Sequence, residues 1–243
     1  VYKRQILNRK IAPEFRQVNN IEFIDAINKK LDNGIDLNYL DGSSQDILKI
    51  DFIFKAGIWQ QNKPLIASST NRLIKEGTKS YTAYQIAEGI DNYGAFLEVE
   101  NNFDSASVTL YTLTKYLNDV LPFVKEIICC PKLSKSEFEI HKKTATQRFK
   151  INLEKVSFLA RKEFSSLIFG TSPYANNVSI EDYENLQLSD LQNFHKQHYQ
   201  LNNCNILVSG KITTTVINTI NEFFGKENIK NEPLYPKNKN IEY

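Results

Sequence analysis

"EGTKSYTAYQIAEGIDNYGAFLEVENNFDSASVTLYTL", residues 76–113, is the stretch whose reading decides the fold. Gly77-Thr78 makes a turn. Thr82 then stands where a helix N-cap belongs, because its hydroxyl can accept from a backbone N–H that the first helical turn leaves unpaired. Ile86 and Ile90 fall four apart on one helical face, and Gly94 marks the stop. Two strands follow, "AFLEVENN" and "FDSASVTLYTL", joined around Asn101-Asn102. In the second, Ala106, Val108 and Leu110 alternate with Ser105, Ser107 and Thr109, so one face is apolar and the other polar. That pattern predicts a half-buried antiparallel hairpin.

Upstream, "IASSTNRLIKEGTKS" (66–80) reads as a helix opened by Pro64 and closed by Gly77. Its polar face carries Ser68, Ser69, Asn71, Arg72 and Lys75, with Glu76 at its end and neither His nor Asp. Before it, "DILKIDFIFKAG" alternates as a strand, with Leu48, Ile50, Phe52 and Phe54 on one face and Lys49, Asp51 and Lys55 on the other. The turn Asp32-Asn33-Gly34 leads into a first strand at 35–40, and residues 1–30 read as an N-terminal arm.

Downstream, Leu117, Val120, Leu121, Val124, Ile127 and Ile128 recur at helical spacing up to Pro131. Residues 134–153 predict a long polar helix, with Ser134 and Glu137 placed as a capping box. A helix over 156–168 and a loop, "FGTSPYANNVS", come next. "LQLSDLQNFHKQHY" is a helix capped by Ser189 or Asp190, "NILVSG" a buried strand, and "TTVINTINEFFG" a closing helix. The polar tail 226–243, with two prolines, reads as a linker towards a second repeat. The domain is thus set at 31–225, and its fold class is α+β, a mostly antiparallel sheet packed on one side by helices.

Composition narrows the function. The 243 residues, 41% of them hydrophobic, suffice for one large core. Lys and Arg total 30 against 28 Asp and Glu, which excludes a dedicated nucleic-acid binder with a one-sided basic surface. No apolar run is long enough to span a bilayer, and the N-terminus shows no apolar stretch of a secretory leader. The expected compartment is the cytoplasm, or the periplasm if a leader has been trimmed. Cys129, Cys130 and Cys204 are sparse, lack CxxC spacing, and read as buried thiols.

Taken together, four segments resemble the insulinase-like peptidase family, M16: "KIDFIFKAGIWQQ", the 76–113 stretch, "FGTSPYANNVSIEDYENLQLSDLQNFHKQHY" and "NILVSGKI". In active relatives the helix before the Gly-Thr turn carries His-x-x-Glu-His. Its two imidazoles lie on one helical face and ligate zinc, while the Glu activates the metal-bound water. A third ligand, a Glu, comes from the later long helix. Anchored on Gly77-Thr78, the resemblance sets Ser68 and Arg72 at the two His positions, Asn71 at the Glu, and Arg148 at the third ligand, with Gln147 and Phe149 beside it. None suits zinc, and a guanidinium repels a dication.

No catalytic residue and no zinc are therefore expected. The resemblance implies a non-catalytic first repeat, the structural or substrate-holding half of a clamp whose partner is a catalytic M16 repeat or subunit, with peptide as substrate. The alternatives are an active zinc endopeptidase with ligands from elsewhere, and a stand-alone peptide- or protein-binding domain. Candidate substrate-binding residues are Glu98 and Glu100, on a strand that in this family holds extended peptide, and Tyr174. Polar strand-face residues and aromatic packing are the simpler accounts, and packing also explains Tyr199.

Other features read blandly. His195 and His198 are surface histidines, since no acidic or Cys partner lies near them in sequence. His141 faces water. "HKKTATQRFK" is a solvated helix face, or else the lining of a chamber that favours acidic peptides. Ser68-Ser69 lacks the elbow and base a nucleophile needs.

Overall fold

The computed structural model describes residues 23–229 apart from 43 and 176. Six strands form one sheet in the order β1-β2-β6-β3-β5-β4. They are β1 (Ile27–Lys30), β2 (Asp36–Asp41), β3 (Ile47–Phe54), β4 (Phe96–Asn101), β5 (Ala106–Leu113) and β6 (Cys204–Gly210). Four of the five pairings are antiparallel, and β2 with β6 is parallel. The sheet is mostly antiparallel, as its sequence predicts. One strand, β1, lies within the stretch read as an arm; "INKK" is mostly polar and exposed throughout, so no alternation announces it. Most of the arm and the end of the tail fall outside the described residues.

The period-two pattern of β3 places Leu48, Ile50, Phe52 and Phe54 on the core face, all fully buried. Register carries the same face across the sheet, pairing Ile50 with Leu110 and Val208, and Phe52 with Val108 and Ile206. Helices cover this face alone. The other face is mixed: Ile47, Ile53 and Leu207 share it with polar pairs, Thr109 donating to Asp51 at 2.7 Å and Lys49 pairing with Asp51 at 2.9 Å. Between β2 and β3, β6 ends at Gly210, whose φ of 137° only glycine adopts freely. A Cβ there would lie 2.1 Å from the carbonyl oxygen of Ile47.

The helices are α1 (Ile66–Leu73), α2 (Ala83–Asp91), α3 (Leu117–Cys129), α4 (Lys135–Leu153), α5 (Val156–Phe169), α6 (Ile180–Asn185), α7 (Leu188–His198) and α8 (Thr214–Ile220). Thr82 caps α2 with a reciprocal Gln85 bond, and Ile86 and Ile90 are buried. The predicted helix, turn and hairpin all form. Six residues of α3 are buried against the sheet. Phe224, beyond α8, meets Phe52 with ring centroids 4.6 Å apart, and Tyr199, at the end of α7, meets Phe54 at 5.1 Å.

Ser134 caps α4 as expected, accepting from Glu137 N at 3.3 Å, without the reciprocal Glu137 bond of a capping box. Other local expectations are corrected. α7 starts after Gln187, not at Ser189 or Asp190; the Asp190 carboxylate accepts from Gln187 N at 3.3 Å. The loop before it contains a 3-10 turn at Pro173–Ala175, followed by the short α6, which Ser179 caps. Of the free cysteines only Cys204 is buried. Leu207 on β6 is partly exposed, so that strand is buried on one face only.

Candidate functional site

Helix α1 begins without a side chain of its own to cap it. Leu65, at φ 72°, turns the chain through the left-handed region, and Gln61 reaches in to accept from Ala67 N at 3.1 Å. Once started, α1 divides its polar residues between two directions. Ser69, Thr70 and Asn71 are buried, whereas Ser68 and Arg72 are exposed. Ser68 merely bonds back to the Leu65 carbonyl at 3.3 Å. Asn71 points into the domain and donates to the Tyr199 hydroxyl at 3.1 Å, so the position matched to the family's Glu base now serves as a packing hydrogen bond. Burial pushes the Tyr199 phenol well above its usual range.

On the opposite wall, α4 crosses α1. Its placement is fixed by Phe138 in the core and by Lys142, which donates to the carbonyls of Glu184 and Leu186 at 2.8 and 3.0 Å. Between α1 and α4 lies a cavity of about 490 Å³. Arg72, His141 and Arg148 line it, together with Glu76, Glu137 and Thr144. The two arginines that the resemblance aligns with ligand positions thus face one space. Ser68 and Asn71 do not line it.

His141 departs from its reading as a water-facing residue. It is half-buried, and its Nε2 lies 3.1 Å from Ser69 Oγ on α1. Burial, reinforced by the positive charges of Arg72 and Arg148, holds its pKa below the ordinary histidine value. His195 and His198 are likewise corrected. His195 is half-buried and its Nε2 donates to Ile128 O at 2.9 Å, whereas His198 is buried and its Nδ1 donates to Lys55 O at 3.3 Å. His195 also stacks on Tyr199. Their single polar neighbours in sequence gave no sign of these roles, which depend on contacts from distant strands and helices.

The residues at the cavity do not fit zinc. A structural or catalytic zinc ion needs three or four neutral imidazole, thiolate or carboxylate donors converging on one point. Here two permanent cations and one imidazole share the space with two carboxylates. Among the described residues no group of three His, Cys, Asp or Glu side chains converges as a metal site.

Of the substrate candidates, Glu98 and Glu100 lie on β4, one of the sheet's two edge strands, pointing away from the core beside Thr109 and Ser107. Tyr174 is in an aromatic group with Trp59 and Phe103, at 5.2 and 4.9 Å, and donates to Asp104 at 3.1 Å. The structure does not bring these three residues into the α1–α4 cavity.

Comparison with known proteins completes the picture. Residues 60–179 match the family model of insulinase (peptidase family M16), and residues 185–243 match that of the peptidase M16 inactive domain. The chain belongs to peptidase family M16. This M16 chain is 24% identical over 197 residues to the non-peptidase homolog YmxG of Helicobacter pylori, covering 76% of the chain and 45% of that protein. A solved peptidase M16 inactive domain from Pseudomonas fluorescens superposes with a TM-score of 0.76 at 20% identity, over 86% of this chain and 53% of that one. A structure titled a protease from Helicobacter pylori gives 0.80 at 18% identity, over 88% and 54%. At such identities the solved structures show the shared fold. The chain spans about half the length of each relative. It is an M16 chain with the α+β fold of those structures.

Proposed function

We propose that this M16 domain is the metal-free, substrate-holding half of a two-part particle, working beside a catalytic M16 repeat or subunit that carries the zinc. One observation carries the reading: Arg72 and Arg148, matched to two metal-ligand positions, line one cavity with His141. A permanent cation cannot donate an electron pair to zinc, and two of them oppose the approach of a dication. The helix that bears the chemistry in active relatives is retained here as a wall, with Asn71 turned inward to Tyr199. Relatives twice this length support the second half of the proposal, since a partner repeat or subunit supplies the remainder of such a particle.

The test is metal analysis of the purified chain together with peptide cleavage assayed with and without chelator. The expected result is no stoichiometric zinc and no chelator-sensitive turnover. Bound zinc with chelator-sensitive cleavage would overturn the proposal. Capture from the native source should recover a relative bearing His-x-x-Glu-His; consistent failure to do so would turn the reading towards a stand-alone binding domain.

A further inference from the structure

We propose that the cavity between α1 and α4 binds a carboxylate group of a peptide, gripped by the guanidinium groups of Arg72 and Arg148. The inference deepens the substrate-holding reading and rests on it for the peptide nature of the ligand. At about 490 Å³ the cavity has the volume of a small-ligand site. Its cations are available. Among the described residues Arg148 makes no ion pair, and Arg72 has only a loose 3.8 Å contact with Glu76, one turn along the same helix. Both guanidinium groups are solvent-exposed and keep their planar forks, the donor geometry that matches a carboxylate.

The surroundings strengthen the case. The cavity opens along α4 into a second depression of about 590 Å³, sharing Ile140, Thr144 and Arg148 with it. Lys143 and Lys155 line that depression and no carboxylate does. At the other end, Glu76 is common to the cavity and to a mostly apolar recess of about 240 Å³, lined by Ile86, Ile90, Phe96 and Leu97 together with Lys75 and Asp91. The surface therefore runs from apolar, through the arginine pair, to cationic. A peptide with an acidic group next to an apolar side chain is the complementary ligand.

Glu76 and Glu137 also line the cavity, and they select among anions. Two fixed negative charges oppose a phosphate dianion more strongly than a carboxylate monoanion. The near-neutral chain, with a net charge of +2, also lacks the dense cationic surface that a nucleic-acid backbone requires.

Fluorescence anisotropy with the 243-residue chain tests the proposal. The probe is a short labelled peptide, otherwise uncharged, with Glu or Gln at its centre and a free or amidated C-terminus. If the carboxylate is a side chain, the amidated Glu peptide binds about ten-fold more tightly than the amidated Gln peptide; if it is the C-terminus, the free Gln peptide shows the gain instead. The Arg72→Gln/Arg148→Gln variant should lose that preference at an unchanged melting temperature, and Arg148→Lys should keep part of it. Equal binding of all four peptides overturns the carboxylate assignment and leaves the substrate-holding reading standing. Binding of none overturns both. A phosphoserine peptide that outcompetes the Glu peptide ten-fold or more overturns the choice of carboxylate over phosphate.

Discussion

Helices α3 and α5 are nearly equal in length, at 13 and 14 residues, yet they are held in opposite ways. α3 buries Leu117, Val120, Leu121, Val124, Ile127 and Ile128 against the sheet. α5 buries no residue at all, and leaves Phe164 64% and Leu167 84% exposed. α4, which carries one wall of the arginine cavity, resembles α5 more than α3, burying only Phe138 and Phe149. The contrast separates two tasks. Stability resides in the sheet and the helices directly on it, and the cavity lies at the boundary, between the well-buried α1 and the outer α4.

The contrast breaks first at its strongest point. Phe52, fully buried at the centre of the sheet and in ring contact with Phe224, should cost about 3–5 kcal/mol on replacement by Ala, read from urea denaturation. A loss below about 1 kcal/mol would mean that the sheet is not the seat of stability. Next comes the link between the layers. Tyr199→Phe removes the acceptor for Asn71 Nδ2 inside the domain, and should cost roughly 1–3 kcal/mol, the penalty of an unpaired buried donor. An unchanged midpoint would show that Asn71 finds another partner.

The buried histidines sharpen the comparison through pH. Burial holds His195 and His198 below their ordinary value, so the unfolded chain takes up protons before the folded one does. Their contribution is fully present above an unfolded pKa of about 6.5 and is lost as pH falls through the lowered folded values. Denaturation midpoints should therefore drop between pH 7.5 and 5.5; a flat response would break the link. The smallest effect belongs to α5. Leu167→Ser should move stability by less than about 0.5 kcal/mol in this chain, and a loss above about 1 kcal/mol would show that α5 is anchored to the core.

How far the sequence discloses these two regions follows the same divide. The alternation of β3, the Thr82 cap and the apolar face of α3 are local patterns, and each forms as read. The family resemblance aligns Arg72 and Arg148 with two ligand positions, and both side chains line one cavity. The rest depends on distant partners. His141 gains its place only because Ser69 lies across from it, and His195 because the end of α3 offers a carbonyl. β1 is polar and becomes a strand only by pairing with β2. In α5 most apolar residues stay exposed, while Phe158 meets Phe149 and Phe169 meets Tyr174, contacts that no local pattern announces.

The place of β6 has a consequence for biosynthesis. Residues 204–210 insert between β2 and β3, strands that leave the ribosome far earlier. Until β6 emerges, both of those strands present an open edge with unsatisfied amides, one of them among the most apolar segments of the chain. Nascent molecules interrupted before that point should be prone to aggregate, and a holdase that shields β3 during translation should raise the yield of folded protein.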